Sequence, residues 1–456
     1  MSDLTTALTG FEGTTLRPGD DGYDEARSVF NAMIDRRPAL IARCTSTADV
    51  ASAVRFGRAE GLTISVYGGG HSVTGAAVAD DGLCIDLRGL KTLTVDPSHR
   101  TARAGGGLTW GELDAGTQEH GLAVTGGRVP STGIGGLALG SGSGWLERKL
   151  GFTCDNLLEA EVVTATGDVV TASAAENPDL FWALRGGGGN FGIVTTFTLQ
   201  LHPIGPIVWG GMLVYPGFRG AEVLRGYRDF VRTAPDEVGS GLAFMTAPHE
   251  DFVPEPARGH PAVGIICCYA GDPADAPAAY APLLALEPAM AMVQPMPYVA
   301  VQGLIEPGNP KGRLNYWTAD FYDDLPDEAV ETLAATATAP VSPFTQIIVV
   351  PGGGALSRVP DDATAFGSRD AAFNIHYLSM WEDPAETDRN IDYTRALAQS
   401  MKPWATGTAY LNFLGDEGRA RIEAGFGPEK FARLQQIKAV WDPDNLFHVN
   451  QNIPPA

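Results

Sequence analysis

Apolar and polar positions follow two different rhythms along this chain. In the first half, helical and strand spacings alternate. Val50, Ala53, Val54 and Gly57 fall on one helical face behind Ser46-Thr47-Ala48-Asp49, a capping-box sequence, and Gly61 is placed to end that helix. The run Thr63-Ile64-Ser65-Val66-Tyr67 predicts a strand that leads directly into Gly68-Gly69-Gly70. Thr109-Trp110-Gly111-Glu112 is a second capping box, with its helix ending near Gly121. Asn177-Pro178 reads as an N-cap and first helical residue, opening a short helix through Phe181, Trp182 and Leu184 that stops at Gly186. Glu161-Val162-Val163-Thr164 and Val169-Val170-Thr171 flank a Thr166-Gly167-Asp168 turn and predict a hairpin, and Ile193 to Leu201 alternates as a further strand.

The rhythm changes around His202-Pro203-Ile204-Gly205-Pro206. Beyond it, Pro-punctuated strand runs such as Val263 to Tyr269 and Phe373 to Tyr377 are separated by helical stretches such as Ala329 to Ala337. That pattern predicts an antiparallel sheet backed by helices. The chain is expected to be α+β, divided at 1–205, 206–405 and 406–456, with the last segment returning to the first.

Composition narrows the function. The chain has 456 residues, with 44% hydrophobic and 19% charged side chains, as expected of an ordinary globular protein. Its 54 acidic against 32 basic side chains give a net charge of −22. Nucleic acid and anionic membrane surfaces both need a basic patch, so neither is an expected partner. The five cysteines Cys44, Cys84, Cys154, Cys267 and Cys268 suggest no disulfide framework and fit a reducing compartment. Met1-Ser2-Asp3-Leu4 lacks the basic start and apolar core of a signal peptide. No apolar run reaches the roughly 20 residues of a membrane span. A cytoplasmic protein is expected. The histidines His99, His120, His202, His249, His260 and His448 are scattered without ligand spacing, so no metal is expected.

The candidate chemistry lies in glycine. The 56 glycines cluster at 68–70, 105–107, 133–144, 186–192 and 352–354. Two clusters match dinucleotide fingerprints, Gly187-x-Gly189-x-x-Gly192 and Gly133-x-Gly135-x-x-Ala138. Neither lies between a strand and a helix as a Rossmann site requires. Gly68-Gly69-Gly70-His71-Ser72 is different. Consecutive glycine amides can form a nest around pyrophosphate, Ser72 adds a donor, and His71 becomes a nucleophile placed beside a nucleotide. Cys154, in Gly151-Phe152-Thr153-Cys154-Asp155-Asn156, is a possible second nucleophile or a small buried residue.

Six segments in this order resemble the berberine-bridge-enzyme-like branch of the FAD-linked oxidases that share the vanillyl-alcohol-oxidase (PCMH-type) fold. They are Tyr67 to Ser72, Gly126 to Gly136, Gly151 to Asn156, Phe181 to Gly192, Tyr410-Leu411-Asn412-Phe413, and Val440 to Phe447 with Asn450 to Ile453 after it. The resemblance covers nearly the whole chain. It implies a two-domain FAD-linked oxidase fold: residues 1–205 bind FAD, 206–405 bind substrate, and 406–456 complete the FAD-binding domain.

The resemblance also implies roles. His71 would bond the flavin 8α carbon, and Cys154, as in bicovalent members, flavin C6. The cofactor would be held by Tyr67, Gly68, Gly69, Gly70, Ser72, Gly127, Pro130, Ser131, Thr132, Gly135, Gly136, Gly144, Gly151, Asp155, Asn156, Gly192, Ile193, Val194, Tyr410, Asn412 and Asn450. Tyr410 would stand beside N5, either as the base or as an aromatic wall. The chain departs from the family where Phe413 replaces a second tyrosine, where Arg358 stands in place of the plant glutamate, and where Tyr316-Trp317-Thr318 lacks a lysine. Carbon–carbon ring closure is therefore not expected. Substrate contacts are expected from Tyr316, Arg358, Phe366, Arg369, Asn374, His376 and Tyr377. Alternate strand residues share a face, so Asn374 and His376 point one way and Phe373, Ile375 and Tyr377 the other.

The expected activity is oxidation of an alcohol or hemiacetal carbon of a sugar, glycoside or polyketide-type small molecule to a carbonyl. O2 would serve as acceptor and hydrogen peroxide would be released. The alternatives are a flavin dehydrogenase with another acceptor and an amine or phenol oxidase.

Overall fold

The computed structural model describes Leu8, residues 10–251 and residues 253–456; the signal-peptide expectation at Met1 to Leu4 lies outside the described residues. The fold is α+β, built on three principal sheets. A four-stranded sheet runs in the order Thr14–Leu16, Leu40–Arg43, Leu83–Asp86, Ile64–Tyr67, with the pairs around Leu83–Asp86 parallel. A five-stranded antiparallel sheet runs Leu93–Asp96, Thr101–Gly105, Ile193–Gln200, Leu157–Val163, Val169–Ser173. The largest sheet has seven antiparallel strands between Ile207 and Trp381.

Local sequence signals act where they were expected. Both capping boxes form: Ser46 accepts from the Asp49 amide and Thr109 from the Glu112 amide. The helix Thr47–Ala59 buries Val50, Ala53, Val54 and Gly57. Residues Leu157–Val163 and Val169–Ser173 form the expected hairpin. One cap differs. Asn177 precedes the helix Pro178–Leu184 but makes no side-chain cap; its backbone is left-handed at φ 49° and its amide donates instead to the Thr171 carbonyl. That bond ties the helix entry to the hairpin, and Pro178 leaves one fewer amide to satisfy.

The seven-stranded sheet has two unlike faces. The amphipathic helices Gly220–Thr233, Asp327–Ala337 and Thr387–Met401 pack on one, around Tyr227, Leu333, Leu397, Ile375 and Tyr377. The strands Leu314–Tyr322, Gln346–Pro351 and Phe373–Trp381 carry the other. There Ile348 and Ala319 flank His376 in register, and Trp317 pairs with Leu378. That second face closes one side of a large cavity. The chain then returns to the first half: Phe431 and Leu434 join the core around Trp182, Phe447 joins the core around Ile64, and the Lys438 ammonium donates to the Asn190 carbonyl.

Candidate active site

The strand Ile64–Tyr67 delivers Gly68 to Gly70 to the floor of a cleft with about 1970 Å³ of empty space, continuous with solvent. Gly70 takes a left-handed φ of 69°, where a Cβ would lie 2.5 Å from the Tyr67 hydroxyl. Across the cleft the short helix Ile134–Leu139 begins at Gly133. Gly69 and Gly133 press together too closely for any side chain. Gly188 and Gly189 add a third bare stretch of backbone to the wall.

The cleft collects fifteen of the expected cofactor positions: Gly68, Gly69, Gly70, His71, Ser72, Gly127, Thr132, Gly135, Gly136, Gly192, Ile193, Val194, Tyr410, Asn412 and Asn450. The residues fit a bound dinucleotide. Exposed glycine amides can receive phosphates. The Asn450 carbonyl oxygen is buried on this wall without a partner, as a group awaiting a ligand donor would be.

His71 faces the cleft with its ring stacked on Phe30 at 4.8 Å and Nδ1 3.5 Å from the Thr132 hydroxyl. Burial, with the Lys311 charge, pushes its pKa down to about 4, against a hydrogen bond with the Ser131 backbone. Its imidazole is therefore neutral at neutral pH, the form that can act as a nucleophile.

Tyr410 is buried, and three donors converge on its phenolic oxygen: the Ser143 amide at 3.1 Å, the Ser141 hydroxyl at 3.3 Å and the Asn412 amide group at 3.4 Å. Asn412 can reach it because residue 140 is glycine; a Cβ there would lie 2.0 Å from the Asn412 carbonyl oxygen. Beside Tyr410 runs a stack. The His376 imidazole lies parallel to it at 6.1 Å and packs on Phe413 at 3.9 Å, and Phe413 in turn stacks on Trp317 at 5.7 Å. Burial, helped by the Arg128 charge, holds His376 neutral well below its usual pKa.

Other expected residues lie elsewhere. Tyr67 sits behind the glycine turn, donating to the Ser28 carbonyl. The Pro130 carbonyl accepts from the Gly111 amide, and the Ser131 amide donates to Glu306. Gly144 is pressed against the Gly126 carbonyl, and Gly151 ends a one-turn helix with φ 78°. Asn156 donates to the Leu150 and Phe152 carbonyls and is bridged to His202. Asp155 pairs internally with Arg369, whose guanidinium is 2% exposed. None of these residues lines the cleft.

Cys154 is also absent from the cleft wall. It is fully buried among Phe152, Phe321, Phe366 and Tyr410, its amide bonded to the Ser141 carbonyl. Burial and the neighbouring Asp155 push its thiol well above the usual range. The structure brings His71 to the cleft wall and places Cys154 beside Tyr410, behind that wall.

Six of the seven substrate candidates lie away from the main cleft. Tyr316 and Tyr377 point to the helix-covered face of the sheet, where Tyr316 meets Arg395 and Tyr377 bonds the Tyr322 hydroxyl at 2.6 Å. Arg358 ends a surface helical turn, Ala355–Arg358, and pairs with Asp236. Phe366 packs against Tyr410 in the interior. Asn374 and Arg369 reach only a small side pocket behind Tyr410. His376 alone of the seven lines the main cleft. The wall that sequence reasoning missed is Trp317, Ile348, Val350 and Leu378. The alternation that put Asn374 with His376 would have found them, had the register of the neighbouring strands been known.

A cleft of glycine backbone, two neutral histidines and a donor-bound tyrosine is the site of an enzyme that binds a flavin dinucleotide. The chain belongs to the FAD-linked oxidoreductases, in their berberine-bridge-enzyme-like branch. The model of the FAD binding domain matches residues 38–173, and that of berberine and berberine-like proteins matches residues 409–454. The chain is 30% identical to an uncharacterised FAD-linked oxidoreductase, YgaK, of Bacillus subtilis, over 98% of each chain. It is 30% identical to (R)-6-hydroxynicotine oxidase of Paenarthrobacter nicotinovorans, over 100% of this chain and 99% of that one. The crystal structure of 6-hydroxy-D-nicotine oxidase from Arthrobacter nicotinovorans superposes with a TM-score of 0.89 at 29% identity, over 99% of this chain and 100% of that one.

Proposed function

We propose that the protein is an oxidase whose FAD is carried on His71 through a single bond, and that it oxidises an alcohol carbon of an apolar, ring-bearing small molecule to a carbonyl. The observation that carries this reading is the shared cleft: Tyr410, its oxygen donor-bound, lines it together with an apolar wall of Trp317, Phe413, Ile348, Val350 and Leu378. Flat apolar walls suit a polyketide-type ring better than a sugar, whose hydroxyls each need a partner.

The glycine turns at 68–70 and 133–136 would hold the phosphates, Asn450 and Asn412 polar edges of the cofactor, and His71 its ring. When bound there, FAD would supply a two-electron acceptor for the substrate hydride, with O2 as the final acceptor and hydrogen peroxide as the product. Tyr410, as the phenolate, accepts the substrate hydroxyl proton at its oxygen. The stacked Phe413 and Trp317 orient the ring and exclude water.

A second reading, amine oxidation, is favoured by the neutral His376 and by the similarity to (R)-6-hydroxynicotine oxidase. A peroxide assay over bulky alcohols and secondary amines separates the two, and anaerobic reduction followed by mixing with air separates an oxidase from a dehydrogenase. The tether is tested by the intact mass of acid-denatured protein. FAD is expected to stay attached in the wild type and in Cys154→Ala and to be lost in His71→Ala. Loss in Cys154→Ala, or release from the wild type, overturns the single bond.

A further inference from the structure

We infer that the turn Ser141 to Gly144 is an oxyanion nest for Tyr410, and that Glu147 and Arg128 are positioning residues that hold the nest in shape. The inference rests on the reading of Tyr410 as the proton acceptor, since a nest of donors favours the charged phenolate that such a base requires.

The turn is built to present donors. Its own carbonyls face away: the Thr153 amide donates to the Gly142 carbonyl and the Cys154 amide to the Ser141 carbonyl, both at 2.9 Å. What remains on the opposite side is the Ser141 hydroxyl and the Ser143 amide, and both are aimed at the Tyr410 oxygen. Among the described residues, that oxygen accepts three hydrogen bonds and donates none. Ser141 is fully buried with φ 103°, a conformation that L residues other than glycine rarely hold without outside support.

The support is a buried ion pair. Glu147 accepts from the Gly144 amide at 3.0 Å and from the Ser143 hydroxyl through one carboxylate oxygen, and from Arg128 at 3.1 Å through the other. Arg128 donates in turn to the Ser143 hydroxyl at 2.9 Å and to the Gly144 carbonyl. The Ser143 hydroxyl and both backbone polar groups of Gly144 are thereby held by this pair. The pair also keeps a carboxylate near the phenol without a net charge. The other charged or titratable groups around Tyr410 are the neutral His376, parallel to its ring, the buried Cys154 thiol, and Arg369 in the side pocket, itself neutralised by Asp155. The remaining rings against it, Phe321, Phe366 and Phe413, carry no charge. Burial and the Glu147 charge raise the phenol above its usual 10, and the bonds from Ser141, Asn412 and Ser143 offset part of that rise.

The test reads the phenol directly. In the flavin-loaded enzyme, tyrosines labelled with carbon-13 at Cζ are titrated by NMR, and the Tyr410 signal is identified by its loss in Tyr410→Phe. Ser141→Gly removes one donor and relieves the strained backbone, so it keeps the fold; the Tyr410 pKa is expected to rise by about one unit. The double variant Arg128→Met/Glu147→Leu removes the pair at constant net charge; losing the Glu147 charge alone would lower the phenol, and the loss of the nest's shape is expected to outweigh this and raise it. A Tyr410 signal that titrates at the wild-type value in either folded variant overturns the nest. The base reading fails separately: it falls if Tyr410→Phe makes peroxide at the wild-type rate from the alcohol the wild type oxidises, whatever the titration shows.

Discussion

Gly69 and Gly133 leave no room for a side chain between them. A Cβ on Gly69 would stand 2.1 Å from the Gly133 nitrogen, and one on Gly133 would stand 2.3 Å from the Gly69 nitrogen. This contact joins the turn that carries His71 to the start of the helix Ile134–Leu139, and so sets the width of the cleft where the cofactor is to lie.

Gly133→Ala therefore tests the cleft without straining the backbone. Gly133 has φ −69° and ψ 140°, which alanine adopts freely, so only the contact with Gly69 resists. The variant is expected to lose about 1–3 kcal/mol of stability, as overpacked sites do. It should also purify with less flavin per mole, read from its visible absorbance. Full flavin content with an unchanged Tm would show that the two turns separate without cost.

Two arginines that looked alike in the sequence should behave differently. Arg369 is buried and paired with Asp155, and removing one partner of a buried pair costs about 3–5 kcal/mol. Arg369→Ala is expected to lower the urea midpoint sharply or to prevent folding. Arg358, on the surface against Asp236, is expected to be replaceable by Ala with no change in Tm or in substrate KM.

Asp114 gives a pH dependence of known sign. It is fully buried, with one carboxylate oxygen bonded to Gln302 and the other without a partner, and burial pushes its pKa up to about 7. Unfolded, it titrates near the usual 3.8. Between these values the folded protein holds a proton that the unfolded chain has released. Its contribution is thus complete at pH below about 4 and is lost as pH rises through 7. Asp114→Asn, which cannot ionise, is expected to stabilise the protein at pH 8 by at most about 4 kcal/mol and to have little effect at pH 4. Urea unfolding at the two pH values decides it; an equal effect at both would place the cause outside ionisation.

Trp317 should affect substrate and not cofactor. It stacks on Phe413 and meets Phe30 edge-on at 5.6 Å. Trp317→Ala is expected to raise KM for an aromatic alcohol about tenfold or more, because aromatic pairing and burial are both lost, with flavin content unchanged. A KM at the wild-type value would move the substrate wall away from this strand.

Much of the first half was legible because its signals are local. A capping box is read from four adjacent residues, and Ser46 and Thr109 cap as their neighbours dictate. The glycine turn before His71 follows from three residues that only such a turn needs, and His71 reaches the cleft as expected. The failures were of another kind. Tyr316 and Trp317 are adjacent, and a strand sends them to opposite faces. Which of them meets the cleft depends on the pairing of Trp317 with Leu378 and on helices more than sixty residues away. Cys154 shares the motif Gly151 to Asn156 with Asp155, yet the residues that enclose it, Phe321, Phe366 and Tyr410, come from distant parts of the chain. The sequence by itself determined the glycine turns, the caps, the strand runs and the family, because each rests on residues near one another or on their order. Only the tertiary structure decided which side chains face the cleft and which charges are buried, because burial and register are properties of surfaces brought together from afar.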